Sequence, residues 1–289
     1  MDFPTPPPIS GPISPPYAPG HPLEAAGPAP RSSAPRAFPA FRAIGALMLR
    51  EIATSYGRTR GGYLWAVAEP VAGIALLSAI FSAAFEAPAL GLSFALFYAT
   101  GMVPFAMFNA LSQKLAQAVN FSRQLLAYPA VTFIDALAAR FLLNLITELV
   151  VALVVLAGIL AAFETRVILD FERIAAAFAL TAALGCGIGT LNCYLFLRVP
   201  AWQQVWSIAM KPMFVISCVF FLFDDIPEPY RSWLWWNPLV HVIGLLRAGF
   251  YGGYDALYAA PPYVAGIAGG TLIAGLALLR RDARALLAR

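Results

Sequence analysis

Side chains that most often do chemistry are few in this sequence and badly spaced for it. There are two histidines, His21 and His241, three cysteines, Cys186, Cys193 and Cys218, and two lysines, Lys114 and Lys211. No H-E-x-x-H pair, G-x-S-x-G elbow or paired-cysteine spacing occurs. The lysines follow Gln113 and Met210, so neither completes a Gly-Lys-Ser/Thr phosphate loop. The pattern argues against an enzyme and excludes an ATPase within the chain. Other ionisable groups stand inside apolar runs, where such groups are costly and mark relays or paths. Glu148 and Lys211 would be the relay of an ion-coupled carrier; equally, they would pair with each other or line a path. His241 and Arg247 share a second apolar run. Six tryptophans, Trp65, Trp202, Trp206, Trp233, Trp235 and Trp236, suit an interfacial belt.

The elements that position these groups follow from composition. Of 289 residues, 60% are hydrophobic and 12% charged, with a mean hydropathy of +0.73. Soluble domains carry about 25% charged residues, so much of this surface faces lipid. The fold class expected is all-α and integral to a membrane. A net charge of +4 is too small to argue for nucleic acid. An odd number of cysteines in apolar stretches supplies neither a disulfide framework nor a metal site.

Six stretches reach the roughly 20 apolar residues that a crossing needs: 63–85, 91–112, 141–163, 174–197, 205–223 and 262–279. A seventh, 233–250, is short and holds Asn237-Pro238; acidic residues flank it. It reads as a broken, re-entrant excursion from the outer side. Fifteen of the 19 Lys and Arg residues fall on the side that bears both ends of the chain. By the positive-inside rule that side is the cytoplasm.

Residues 1–39 hold 13 of the 24 prolines and read as a disordered cytoplasmic tail; residues 40–289 form the transmembrane domain. From Phe41 to Arg58, at 100° per residue, Phe41, Ile44, Met48, Leu49 and Ile52 share one side, and Arg42, Arg50, Glu51, Thr54 and Arg58 the other. That is an amphipathic helix in the membrane interface. Its polar face would dock a cytoplasmic partner, or the helix is a plain anchor. Gly185-x-x-x-Gly189 and Gly266-x-x-x-Gly270 allow close helix packing.

Three runs carry a family resemblance. Residues 52–70, Ile-Ala-Thr-Ser-Tyr-Gly-Arg-Thr-Arg-Gly-Gly-Tyr-Leu-Trp-Ala-Val-Ala-Glu-Pro, resemble the entry to the first spanning helix of ABC-2-type exporter permeases. Asn120-Phe-Ser-Arg123-Gln-Leu-Leu-Ala-Tyr128-Pro129 is similar to their cytoplasmic coupling segment. Asn237-Pro238-Leu-Val-His241 through Leu-Leu-Arg247-Ala-Gly-Phe-Tyr251 is similar to the segment before their last helix. The likeness covers about residues 40–280 and looks closest to capsular polysaccharide export permeases of the Kps type. It departs at Gly244, where many relatives carry a carboxylate one turn from Arg247.

The resemblance implies a half-transporter of the bacterial inner membrane, working as a two-fold dimer with two cytoplasmic ATPase subunits. ATP and magnesium would belong to those partners, and this chain would hold no cofactor. The cargo would be a lipid-linked capsular polysaccharide, passed on to periplasmic and outer-membrane export proteins; O-antigen or teichoic acid are alternatives, as is a channel or ion-coupled carrier without an ATPase. Docking would fall to Arg42, Arg50 and Arg58 with Asn120, Arg123 and Tyr128. Arg60, Trp65, Lys211, Trp233, Trp236, His241 and Arg247 would lie along the path.

Overall fold

The structure is a computed structural model that describes residues 39–55, 62–122, 132–165 and 167–287. The proline-rich tail, Arg58, Arg60, Arg123 and Tyr128 lie outside the described residues. The described part is helical throughout: α1 (Pro39–Ser55), α2 (Gly62–Ala84), α3 (Phe94–Ala116), α4 (Ala118–Ser122), α5 (Phe133–Ala162), α6 (Phe171–Arg198), α7 (Ala201–Ile216), α8 (Tyr230–Leu234), α9 (Pro238–Phe250) and α10 (Pro261–Leu287).

Local chemistry sets several helix starts. Thr132 and Asp135 form a reciprocal capping box on α5. The Asp170 side chain accepts from the Glu172 and Arg173 amides at the start of α6. Asn237 caps α9, with Pro238 in the first position, where a missing N–H costs nothing.

Helix α3 is the axle: most of its side chains are buried, and α2, α5, α6 and α9 all pack on it. The approach of α6 rests on glycine. A Cβ at Gly185 would meet Leu111 at 2.9 Å, and one at Gly189 would meet Leu115 at 2.9 Å. Helix α10 lies along α6 through different glycines from those the sequence suggested. Gly187 abuts the Ala268 carbonyl and Gly275 faces the Thr190–Leu191 backbone, whereas Gly266 and Gly270 have open space beside them. Without a hydrophobic drive between helices in lipid, such close backbone contact is what holds the pair.

Among the described residues, five helices are long and apolar enough to cross a membrane: α2, α3, α5, α6 and α10. The expected stretch 205–223 differs, because α7 stops at Ile216. Its 16 residues reach about 24 Å at 1.5 Å each, short of a hydrocarbon core of about 30 Å. The chain turns at Cys218, whose φ is +62°. The Ser217 amide and hydroxyl both bond back to the Met213 carbonyl, at 3.0 and 2.6 Å.

The stretch 233–250 is divided between the end of the five-residue α8 and the whole of α9 rather than forming one helix. Asp224 and Tyr254 are joined by a 2.9 Å hydrogen bond, while between them the chain bends at Trp235–Asn237. There the Asn237 amide reaches the Ser217 hydroxyl at 3.0 Å. The first residues of α9, Leu239 and Ile243, share a cluster with Phe105 and Phe108, about 17–21 Å along α3 from its start. Its last residues, Leu246 and Phe250, cluster with Ala95 and Leu96 at that start. Helix α9 therefore runs from beside the middle of α3 back to its start.

Candidate functional site

Where α1 meets the bundle, four charged and aromatic side chains interlock. Glu51 of α1 lies 3.2 Å from Arg140 of α5, with both side chains about nine-tenths buried. Phe121 of α4 sits beneath two guanidinium groups, with Arg140 at 4.4 Å and Arg50 at 5.9 Å from the ring centre. Burial pushes the Glu51 carboxyl above its ordinary value, while Arg140 and the Asn144 amide pull it down. Arg50, expected as a docking cation, is half-buried and already engaged here. Asn120 is exposed on α4, and Arg42 lies on α1 with its side chain outside the described residues.

Within the bundle, Glu148 pairs with Lys114 of α3 at 3.5 Å, not with Lys211. Lys211 is exposed on α7, so the relay envisaged from the sequence has no geometry. Trp65, near the start of α2, is 73% exposed.

At the opposite end from α1, Arg247 is buried without a carboxylate. It donates at 2.9 Å to the carbonyls of Val219 and of Phe221, and its guanidinium lies 4.4 Å above the Phe97 ring. Its Nε has no acceptor among the described residues. Arg247 thus locks the turn that ends α7. Beside it, the ring of Tyr258 occupies the place where a side chain at Gly244 would project. The Tyr258 hydroxyl is 3.3 Å from that of Tyr254, and burial pushes its phenol up to about 12.

His241 is equally structural in its contacts. Its Nδ1 accepts from the Ala260 amide at 3.2 Å, which puts the proton on Nε2 to donate to the Trp235 carbonyl at 2.7 Å. The ring pins the link between α8 and α9 to the start of α10. Trp235 stacks on Tyr263 at 5.1 Å, and the Tyr263 hydroxyl donates to the Trp236 carbonyl at 2.7 Å. Trp233 and Trp236 stay about two-thirds exposed. Next to them Phe223, Glu228, Arg231, Ser232 and Trp235 line a hollow of about 330 Å³. The Ser232 hydroxyl and Arg231 hold the Glu228 carboxyl below its ordinary value. Aromatic faces beside charged and hydroxyl groups suit a sugar ring, which stacks by its C–H face and hydrogen-bonds by its rim.

The sequence matches the ABC-2 type transporter family over residues 42–251, a span that takes in the Glu51–Arg140 interlock, the Arg247 lock and helices α8 and α9. The chain belongs to that family. Among curated relatives, a polysialic acid transport protein, KpsM, of Escherichia coli is 35% identical over 244 residues, covering 84% of this chain and 95% of the relative. A capsule polysaccharide export inner-membrane protein, CtrC, of Neisseria meningitidis is 27% identical, with 83% and 91% covered. Another, BexB, of Haemophilus influenzae is 23% identical, with 75% and 82% covered.

Several residues of this ABC-2 family member carry more structure than their local sequence announces. Glu51, Phe121 and Arg140 come from three separate helices, and Lys114 meets Glu148 across 34 positions. Phe121 lies inside the Asn120–Pro129 run, so its neighbourhood was marked, but its two cationic partners were not. Tyr258, which fills the space beside Gly244, lies beyond the motif that drew attention to Arg247.

Proposed function

We propose that this chain is the transmembrane subunit of an ATP-driven exporter that moves lipid-linked capsular polysaccharide across the bacterial inner membrane. The observation that carries this reading is the 35% identity to a polysialic acid transport protein over 95% of that protein's length. The meningococcal and Haemophilus relatives, both capsule polysaccharide export inner-membrane proteins, agree with it. With no phosphate loop in the chain, the energy comes from two separate ATPase subunits. They dock where α1 and α4 meet, and the Glu51–Arg140–Phe121 interlock carries their movement into α5.

Two copies of the chain form the conduit in a closed, two-fold assembly. In this reading α7 and the turn to Phe223 together make the sixth crossing, and the charge asymmetry of the sequence puts both termini in the cytoplasm. The α8–α9 hairpin dips in from the outer side, supported by the Asp224–Tyr254 bond at its base and the packing of Leu239 beside Phe105. Its exposed Trp233 and Trp236 meet the glycan as it leaves. Removing the gene from its host tests this. Surface polysaccharide should vanish and lipid-linked glycan accumulate inside, with both reversed by the intact chain; normal surface polysaccharide in the deletion strain would overturn it.

A further inference from the structure

The seam between α2 and α5, floored by α3, holds two cavities that follow one another along the helices. Near the junction of α3 with α4, a cavity of about 250 Å³ is lined by Glu69 of α2, Asn109 and Lys114 of α3, and Glu148 of α5. Further along, a cavity of about 490 Å³ is walled by Val71, Ile74 and Ser78 of α2 and by Val155, Gly158 and Phe163 of α5. The first reaches Pro70 and Ala152; the second begins at Val71 and Val154. The groove is polar at one end and apolar along the rest.

The polar end is mixed in charge and not neutral. Lys114 and Glu148 pair at 3.5 Å, and Glu69 is an exposed second carboxylate with no ion-pair partner among the described residues. Asn109 accepts through Oδ1 from Gln113 at 3.2 Å, which leaves its amide N–H groups to donate into the cavity. A carboxylate at membrane depth is costly unless a cation meets it. The apolar stretch offers a different environment. Its one hydroxyl among the named walls, Ser78, is spent on the Ile74 carbonyl, so a sugar polymer finds no partners there. From Val154 to Phe163 it runs about 14 Å, close to half of a hydrocarbon core of about 30 Å.

We propose that this seam is a binding site for one aminophospholipid of the leaflet on the α4 side, a lipid whose headgroup carries both an ammonium and a phosphate. The ammonium meets Glu69 and Glu148. The phosphate takes Lys114 and the Asn109 amide, and one acyl chain lies along the apolar stretch past Gly158. A purely anionic headgroup would face the surplus carboxylate and bind less well. The site requires only that these helices stand in a membrane; it does not depend on which glycan is exported.

The test uses the assembled complex with the full-length chain, extracted from membranes containing phosphatidylethanolamine and phosphatidylglycerol and washed through increasing detergent. Lipid mass spectrometry should find phosphatidylethanolamine retained at about one per chain, with phosphatidylglycerol washed away. Glu69→Gln, at an exposed position, should lower that retention about tenfold. Gly158→Leu leaves the charges alone and places a side chain where nothing now lies within 4 Å of a Cβ; it should do the same. Equal retention of the two lipids, or unchanged retention in both variants, would overturn the proposal. So would a spontaneous disulfide between copies at Ala75→Cys, which would show a neighbouring chain seated in the groove. Retention is read without transport, so its failure leaves the export reading untouched, and a failed export test leaves this one untouched.

Discussion

Arg247 donates a 2.9 Å hydrogen bond to the main-chain carbonyl of Val219, 28 residues earlier in the chain. With its second bond to Phe221, it ties the last turn of α9 to the turn that ends α7. Removing it leaves the buried Val219 carbonyl and the part-buried Phe221 carbonyl without their donor. Arg247→Ala should therefore destabilise the protein by about 2–4 kcal/mol, read as a lowered thermal transition in detergent. Arg247→Lys should recover only part of the loss, because an ammonium cannot span both carbonyls as a planar fork does. An unchanged transition in Arg247→Ala would refute the lock.

The pairing of Gly244 with Tyr258 gives a sharper test of the same region. A Cβ at 244 runs into the Tyr258 hydroxyl, so Gly244→Ala alone should cost about 1–3 kcal/mol. Combined with Tyr258→Ala, which clears that space, the added cost of the alanine should largely disappear. Additive losses in the double variant would mean that the two positions do not meet.

Glycine positions on α6 and α10 predict opposite outcomes for one substitution. Gly187→Ala should drive the helices apart, since its Cβ meets the Ala268 carbonyl and lies 2.5 Å from the Thr271 hydroxyl; a loss of about 1–3 kcal/mol is expected. Gly270→Ala should leave the stability of the single chain unchanged, having nothing within 4 Å. The reverse order of thermal transitions would contradict the α6–α10 packing.

Much of this was readable from hydropathy and caps. The runs at 63–85, 91–112, 141–163, 174–197 and 262–279 contain the spanning cores of α2, α3, α5, α6 and α10, because each is apolar enough to stand in lipid by itself. Pro238 announced the start of α9. The end of α7 was not readable: residues 217–223 are as apolar as the helix before them. What stops the helix is a turn at Cys218 whose carbonyls are served by a side chain 26 and 28 positions away. Lys114 was hidden for the same reason. Near the end of its helix it read as one more inside-facing cation, and only the fold brings Glu148 to it.

For docking, charge reversal at Arg42 and Arg123 together should weaken association with the ATPase subunits while leaving membrane insertion intact. Single exposed pairs are worth about 0.2–1 kcal/mol, so the double change is needed to see the effect by pull-down. Phe121→Ala should act differently. It removes the ring between Arg50 and Arg140 and should loosen α1, raising the labelling rate of a cysteine placed at Leu47, which is buried. Wild-type pull-down in the double reversal, or an unchanged labelling rate, would count against the respective part.

The central claim is that this chain conducts a lipid-linked glycan when a separate ATPase drives it. The most direct measurement is reconstitution of the purified permease with its co-purifying ATPase into vesicles, with lipid-linked capsular glycan in the outer leaflet and ATP supplied outside. The account predicts that glycan becomes protected from added glycosidase only when ATP is hydrolysed and the ATPase sites face out. Protection without ATP, or none in vesicles that hydrolyse ATP with the complete complex, would contradict it.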